Sequence, residues 1–387
     1  MLPSAPLPAP RSAMLPARRS RLDAALAERG LPALLVTSVY NVSWLTGFTG
    51  DSSFALVLPG RVFLVSDRRF AVQIGEECPG LESRIRGPHT STWQELADLV
   101  RSLGLTSMAV EADQITLAQE ERLRGLCGGV ALIPTSAIVD RLRAVKDAFE
   151  VAEIRRAVLI AHRALDTLRA TIDPDDTEKG LADAMESYVR RAGGVRTGFP
   201  TIVAIGDRSA LPHCPPSERC VRESPFLLLD WGAVAGQYTS DITRVMPNPF
   251  RERNRATVEI ETRLRKVYTV VLRAQQAAES GLRAGADVRT IDRLARAVIE
   301  DAGFGPYFTH GLGHGIGLEI HERPSVRNNS DDVLAVGQTI TLEPGIYLDG
   351  FGGVRIEDDF LIVEGGCERL TRAIPREWDE LWNDRAI

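Results

Sequence analysis

Apolar positions in the first third of the chain switch between helical spacing and short unbroken runs. RLDAALAERG, from Arg21, reads as a short helix closed by Gly30, and ALLVTSV after it as a buried strand. SSFALVLPGRVFLVSD predicts two strands turning at Pro59-Gly60. Thr92-x-x-Glu95 has the spacing of a capping box, opening a helix that ends near Gly104 before a strand in SMAVEA. Helices alternating with strands predict an α/β domain over residues 19–143. The charged stretch 141–153 marks its end and begins a long helix with the apolar stripe Val151, Ile154, Val158, Ala161, Leu165 and Leu168. Pro174 breaks that helix, and Thr177 caps a second one ending at Gly193-Gly194. Strands follow at 201–205 and 226–246. The order then repeats, with helices at 256–281 and 287–303 and strands at 339–343 and 354–363. Two helices followed by strands, twice, predict a pseudo-symmetric α+β domain over 144–387 with a site between its halves.

Composition narrows the partners. The chain of 387 residues is 44% hydrophobic and 25% charged, with a net charge of −6, as expected of an ordinary soluble globular protein with two domains. It has no basic run suited to nucleic acid or a membrane surface, so a small molecule or peptide is the expected partner. Cys78, Cys127, Cys214, Cys220 and Cys367 are odd in number and lack CxxC spacing, which argues against a disulfide framework or thiolate zinc site and for a cytoplasmic setting. The proline-rich residues 1–18 read as a disordered tail, with Met14 as an alternative start of translation, and no apolar run reaches membrane-spanning length. His89 reads as a loop residue, His162 as a helix-surface residue and Asp67-Arg68-Arg69-Phe70 as a salt-bridged strand end.

The stretch 226–246, FLLLDWGAVAGQYTSDITRVM, predicts a β-hairpin reversing at Ala235-Gly236. Its expected register opposes Asp230 to Asp241 on one face and puts Leu227, Leu229, Trp231, Ile242 and Met246 on the other. Opposed like charges in an apolar strand require a cation between them. Further along, HGLGHGIGLEIHERP alternates glycine around His314, letting the backbone approach a neighbour closely. It is neither a helix-opening GxGxxG nor HExxH. Glu343 ends the strand in TITLEPG, and Glu357 shares a face with Arg355 in VRIEDDFLIV. If Asp230, Asp241, Glu343 and Glu357 converge, their charges need two divalent cations, with the His314 imidazole supplying a nitrogen. An oxygen-dominated set favours Mn²⁺, Co²⁺ or Fe²⁺ over a sulfur-rich zinc site, and a metal pair activates water for hydrolysis.

DWGAVAGQYTSDITR, HGLGHGIGLEIHERP, TLEPGIY and GGVRIED, in this order, resemble the proline-specific metallopeptidases of the pita-bread fold, the group of Xaa-Pro dipeptidase (prolidase) and aminopeptidase P. NVSWLTGFTG and SDRRF resemble its creatinase-type N-terminal domain, so the resemblance runs from Arg21 onward. It implies that Asp230 holds one metal, His314 and Glu343 the other, and that Asp241 and Glu357 bridge both. A metal-bridged hydroxide would attack the carbonyl before proline, with Glu343 passing its proton to the leaving nitrogen. His213, in SALPHCPP, and His321 would steady the substrate and tetrahedral intermediate, His310 would line the proline side, and Arg355 would orient Glu357. The resemblance further implies manganese, with cobalt, iron or zinc as alternatives, proline-containing dipeptides or short peptides as substrates, and a homodimer. Competing readings are a non-catalytic binding protein on the same fold, for which loss of ligands is expected, and a different two-metal hydrolase such as a phosphatase, for which a basic cluster beside the ligands is lacking. Methionine aminopeptidase leaves the large N-terminal domain unexplained. No motif separates dipeptidase from aminopeptidase P firmly, and the compact spacing with the GHGIGLEIHE string favours a prolidase-like enzyme.

Overall fold

The computed structural model describes residues 10–381. The chain divides into two compact units, residues 1–143 and 144–387. Among the described residues no helix is long and apolar enough to cross a membrane.

The first unit is an α/β domain around one mixed sheet. Its six strands lie in the order Glu82–Ile85, Arg61–Ser66, Phe54–Leu58, Leu34–Val36, Ser107–Glu111 and Ala131–Thr135. The first helix is Arg11–Glu28, so the tail expected to residue 18 is helical from Arg11, while residues 1–9 lie outside the described residues. Leu15, Leu22 and Leu26 continue one buried face through it, and buried Arg18 donates to the Trp44 carbonyl at 3.1 Å. Proline density misled the sequence reading because this burial outweighs the hydrogen bond lost at Pro16. Helix Thr92–Ser102 is capped by Ser91, whose Oγ accepts from Gln94 N at 3.1 Å, so Thr92 is the first helical residue rather than the cap of a box with Glu95.

The second unit repeats a helix pair and a sheet. Asp147 caps Ala148–Thr171 through a reciprocal pair of 3.0 Å bonds with Glu150, and Thr177 caps Glu178–Arg191. The three-stranded antiparallel sheet that follows has Phe226–Trp231 at its centre, flanked by Ile202–Ile205 and Ile242–Pro247. Asn254 and Asp287 cap Arg255–Gly281 and Val288–Asp301. A five-stranded sheet then orders Glu322–Val326, Gly313–Gly315, Thr339–Leu342, Asp358–Val363 and Gly366–Arg369. One hydrophobic core joins both helix pairs to both sheets and includes Ala157, Ala161 and Leu165, Trp231, Val271, Ile340 and Phe360. The stretch expected as one strand at 354–363 is two, Gly352–Arg355 and Asp358–Val363, and they belong to different sheets. Glu357 sits in the break.

Candidate metal centre

The hairpin register differs from the simple pairing. Asp230 faces Thr243, with Trp231 opposite Ile242, so Asp241 lies just before its strand, on the same side as Thr243. The reason is a small second ladder, Val234–Ala235 with Tyr238–Thr239, which lets the chain reverse at Gly236-Gln237 and leaves Gly232 and Ser240 between the two ladders. The two aspartates therefore share a side without being directly opposed.

All nine residues singled out in the sequence line one cavity of about 880 Å³: Asp230, Asp241, His314, Glu343 and Glu357 together with His213, His310, His321 and Arg355. Asp241, His314 and Glu357 offer ligand atoms within 4.8 Å of one another. His314 reaches the site on the short strand Gly313–Gly315, where a Cβ at Gly313 would stand 2.0 Å from the Thr341 carbonyl oxygen. That approach requires glycine at 313, and the pairing with Glu322–Val326 shifts register between His314 and Gly315.

Hydrogen-bond direction fixes the imidazoles. His314 Nδ1 lies 3.0 Å from the Gly315 carbonyl and must donate to it, so the lone pair is on Nε2. Nε2 is 3.6 Å from Asp241 Oδ2 and 3.5 Å from Glu343 Oε1, too far for good hydrogen bonds. Ligand atoms that share an ion at roughly 2.0–2.2 Å stand about that far apart. Burial, with His321 second, lowers the His314 pKa to about 3, so the ring is neutral and ready to bind a cation.

The carboxyls meet the same test. Asp230 Oδ1 and Asp241 Oδ1 are buried without a hydrogen-bond partner. Burial, then Glu357 and Asp230, holds Asp241 well above the ordinary carboxylate range; burial, then Glu357, does the same for Glu343. Glu357 is pushed up to about 8 by burial and then by Asp230, and Asp230 is also raised because burial outweighs Arg355. Neutral imidazole, orphaned oxygens and crowded carboxyls together fit divalent cations.

Arg355 is bonded to more than the Glu357 side of the site. Its Nη2 donates to Asp230 Oδ2 at 2.6 Å and its Nε to Thr243 Oγ1 at 3.0 Å; Thr243 in turn donates to Glu357 Oε2 at 2.7 Å. Arg355 therefore holds Asp230 directly and Glu357 only through Thr243. The sequence reading passed over Thr243, although its place two residues after Asp241 on the same strand side was available as a signal. It also passed over Asp359, whose carboxylate accepts from Asp241 N at 3.2 Å and, by burial first, is held well above its ordinary range.

Tyr347, also unforeseen, completes a chain. Arg355 Nη1 donates to the Tyr347 hydroxyl at 2.9 Å, and that hydroxyl lies 2.9 Å from His310 Nε2. His310 Nδ1 is 2.8 Å from the Gly311 carbonyl and must donate there, so Nε2 accepts the phenolic proton. With both nitrogens engaged, and its pKa lowered to about 4 by burial, His310 is a fixed neutral wall. Tyr347→Phe strands the His310 acceptor and one Arg355 donor, and should cost about 1–3 kcal/mol in unfolding free energy by urea titration.

Residues 152–364 match metallopeptidase family M24, and residues 18–145 match the creatinase/prolidase N-terminal domain. The chain belongs to metallopeptidase family M24. Its first unit is a creatinase-type domain and its second the pita-bread domain, and the family implies divalent metal ions. Among similar proteins, the structure of an Xaa-Pro dipeptidase from Bacillus anthracis superposes with a TM-score of 0.86 at 34% identity, covering 94% of this chain and 99% of that one. That of an X-Pro aminopeptidase from Thermotoga maritima gives 0.81 at 33%, covering 91% and 99%. The Xaa-Pro dipeptidase of Pyrococcus furiosus is 38% identical over 237 residues, 61% of this chain and 65% of its own length.

Proposed function

We propose that this M24 peptidase hydrolyses the bond between an N-terminal residue and proline in dipeptides or short peptides, using two divalent ions held by Asp230, Asp241, His314, Glu343 and Glu357. The observation that carries this reading is the meeting of the His314 Nε2 lone pair with the Asp241 and Glu343 carboxyls in one cavity. Divalent ions bound there supply Lewis acidity, making water a nucleophile near neutral pH and polarising the scissile carbonyl.

The rest is work for the protein's own groups. Glu343, whose Oε1 stands 3.5 Å from His314 Nε2 in the cavity, is the carboxylate placed to take the proton of the attacking water and pass it to the prolyl nitrogen as the bond breaks. His321 is neutral because burial, and then His213, lowers its pKa, so it presents a ring N–H to the carbonyl oxygen as negative charge develops there. His213 lines the same cavity and takes the matching position in this reading. Phe199, Pro200, Ile202 and Ile320 give the cavity apolar wall for the proline ring, which has no N–H to satisfy. Arg327 lines the cavity and forms no ion pair among the described residues, which favours a substrate with a carboxylate close to the scissile bond, as in a dipeptide.

The test is metal-free protein reloaded with Mn²⁺ or Co²⁺ and offered Ala-Pro and Ala-Pro-Ala. Turnover of Ala-Pro above Ala-Pro-Ala is expected, with Arg327→Ala raising KM for the dipeptide roughly tenfold or more by loss of a charge-assisted bond. No metal-dependent cleavage of either peptide by protein that has bound metal would overturn the peptidase reading in favour of the binding protein.

A further inference from the structure

We propose that the buried ion pair Lys146–Glu322 is the positioning device that sets His321 against the cavity, an inference that rests on the peptidase reading above. The chain has three lysines against 43 arginines, so a buried lysine is a departure from its own habit. The Lys146 side chain is 1% exposed and that of Glu322 5%. Lys146 Nζ donates to Glu322 Oε1 at 2.5 Å and to the Ala144 carbonyl at 3.2 Å, and its backbone N donates to the Gly337 carbonyl at 2.9 Å. The ammonium is thus held between the Ala144 carbonyl and the Glu322 carboxylate, on a residue whose own backbone N is bonded to Gly337, and no group assigned above to peptide hydrolysis uses it.

Glu322 directly follows His321 and begins the strand Glu322–Val326. Its carboxylate is pressed against the glycine-rich turn: a Cβ at Gly317 would stand 2.4 Å from Glu322 Oε1. The other side of that turn is held by Thr239, whose N and Oγ1 donate to the Gly317 carbonyl at 2.9 and 3.0 Å. The turn from His314 to His321 is therefore clamped between the approach to Asp241 and the Lys146–Glu322 pair. Its outcome is the edge-to-face packing of His314 and His321, ring centres 4.3 Å apart at 82°. A compact ammonium fits beneath this turn where the planar guanidinium used elsewhere in the chain would demand more room.

The experiment compares Lys146→Met, Glu322→Gln and the double variant, each loaded with Mn²⁺ for kinetics and with Zn²⁺ for histidine-ring NMR. With six histidines in the chain, His321 can be assigned from a His321→Gln spectrum. Breaking one partner should lower the melting temperature, and the double variant should recover much of it, because removing both buried charges is far less costly than leaving one. If the pair positions His321, the double variant keeps its bound metal and its KM but loses roughly tenfold or more in kcat, since misplacing a group by a fraction of an ångström is enough. Its His321 ring signals should also move or broaden while those of His89 and His162 stay. A double variant with wild-type kcat and unmoved His321 signals would overturn the proposal, leaving the pair as scaffold. Failure of wild-type protein to cleave Xaa-Pro peptides would count against the peptidase reading alone, and the NMR comparison would still decide the placement of His321.

Discussion

On the proposed reading, Asp241→Ala should lower kcat/KM for Xaa-Pro cleavage by roughly a thousandfold or more, as expected when a carboxylate that would hold the metal is lost. It should also cut the divalent metal retained per chain, measured by elemental analysis after desalting. The expectation follows from where the carboxyl stands. Asp241 is 5% exposed, its Oδ1 has no hydrogen-bond partner, and its Oδ2 faces the lone-pair nitrogen of His314. Its pKa is raised by burial and then by Glu357, Asp230, Asp359 and Glu343, so it sits at the centre of the negative charge. The substitution leaves the main-chain bond from residue 241 to Asp359 in place, and it removes a buried repulsion. The metal-free variant should therefore unfold no more easily than metal-free wild type. A variant that retained full metal and full activity would remove Asp241 from the centre.

Chelation of the metal should lower the melting temperature of the catalytic unit by on the order of 10 °C at pH 8, because an ion at about a thousand times its Kd contributes about 4 kcal/mol. The pH dependence of the metal-free protein follows from the same carboxyls. Asp230, Asp241, Glu343 and Glu357 have folded-state values raised above those of the unfolded chain, Glu357 to about 8. Between about 4, where unfolded carboxyls titrate, and about 8, the folded chain binds more protons than the unfolded one, so stability falls as pH rises. His314 and His310, lowered to about 3 and about 4, act in the opposite sense as pH falls from the unfolded histidine value of about 6.5. The carboxyl effect therefore stands alone between about pH 6.5 and 8. Calorimetric melting of chelated protein should drop across that interval, and saturating Mn²⁺ should remove most of the slope. A melting temperature that rose with pH there would contradict the crowding of carboxyls inferred from the cavity.

Much of the site was legible along the chain. Acidic residues at the ends or in the middle of apolar strands, and a histidine among alternating glycines, are locally expensive choices, and expense of that kind is visible in one dimension. All five ligand candidates and four supporting residues line one cavity for that reason. The start of helix Glu178–Arg191 was legible too, because Thr177 bonds to main chain within three residues of itself, whereas the long helix expected to begin within 141–153 is separate from a short one at Ile138–Arg143 and starts at Ala148.

What the sequence by itself determined is thus which residue types are offered to the cavity, since residue type and local spacing are properties of the chain alone. Tertiary structure alone decided how those residues are held. The Asp230–Thr243 register depends on a second small ladder, and the division of 354–363 between two sheets depends on what each half pairs with. Arg355 holds Asp230 across 125 positions, and Lys146 holds Glu322 across 176. Hydrogen bonds and ion pairs act over a few ångströms of space and carry no mark in sequence separation, so only the folded chain can name their partners.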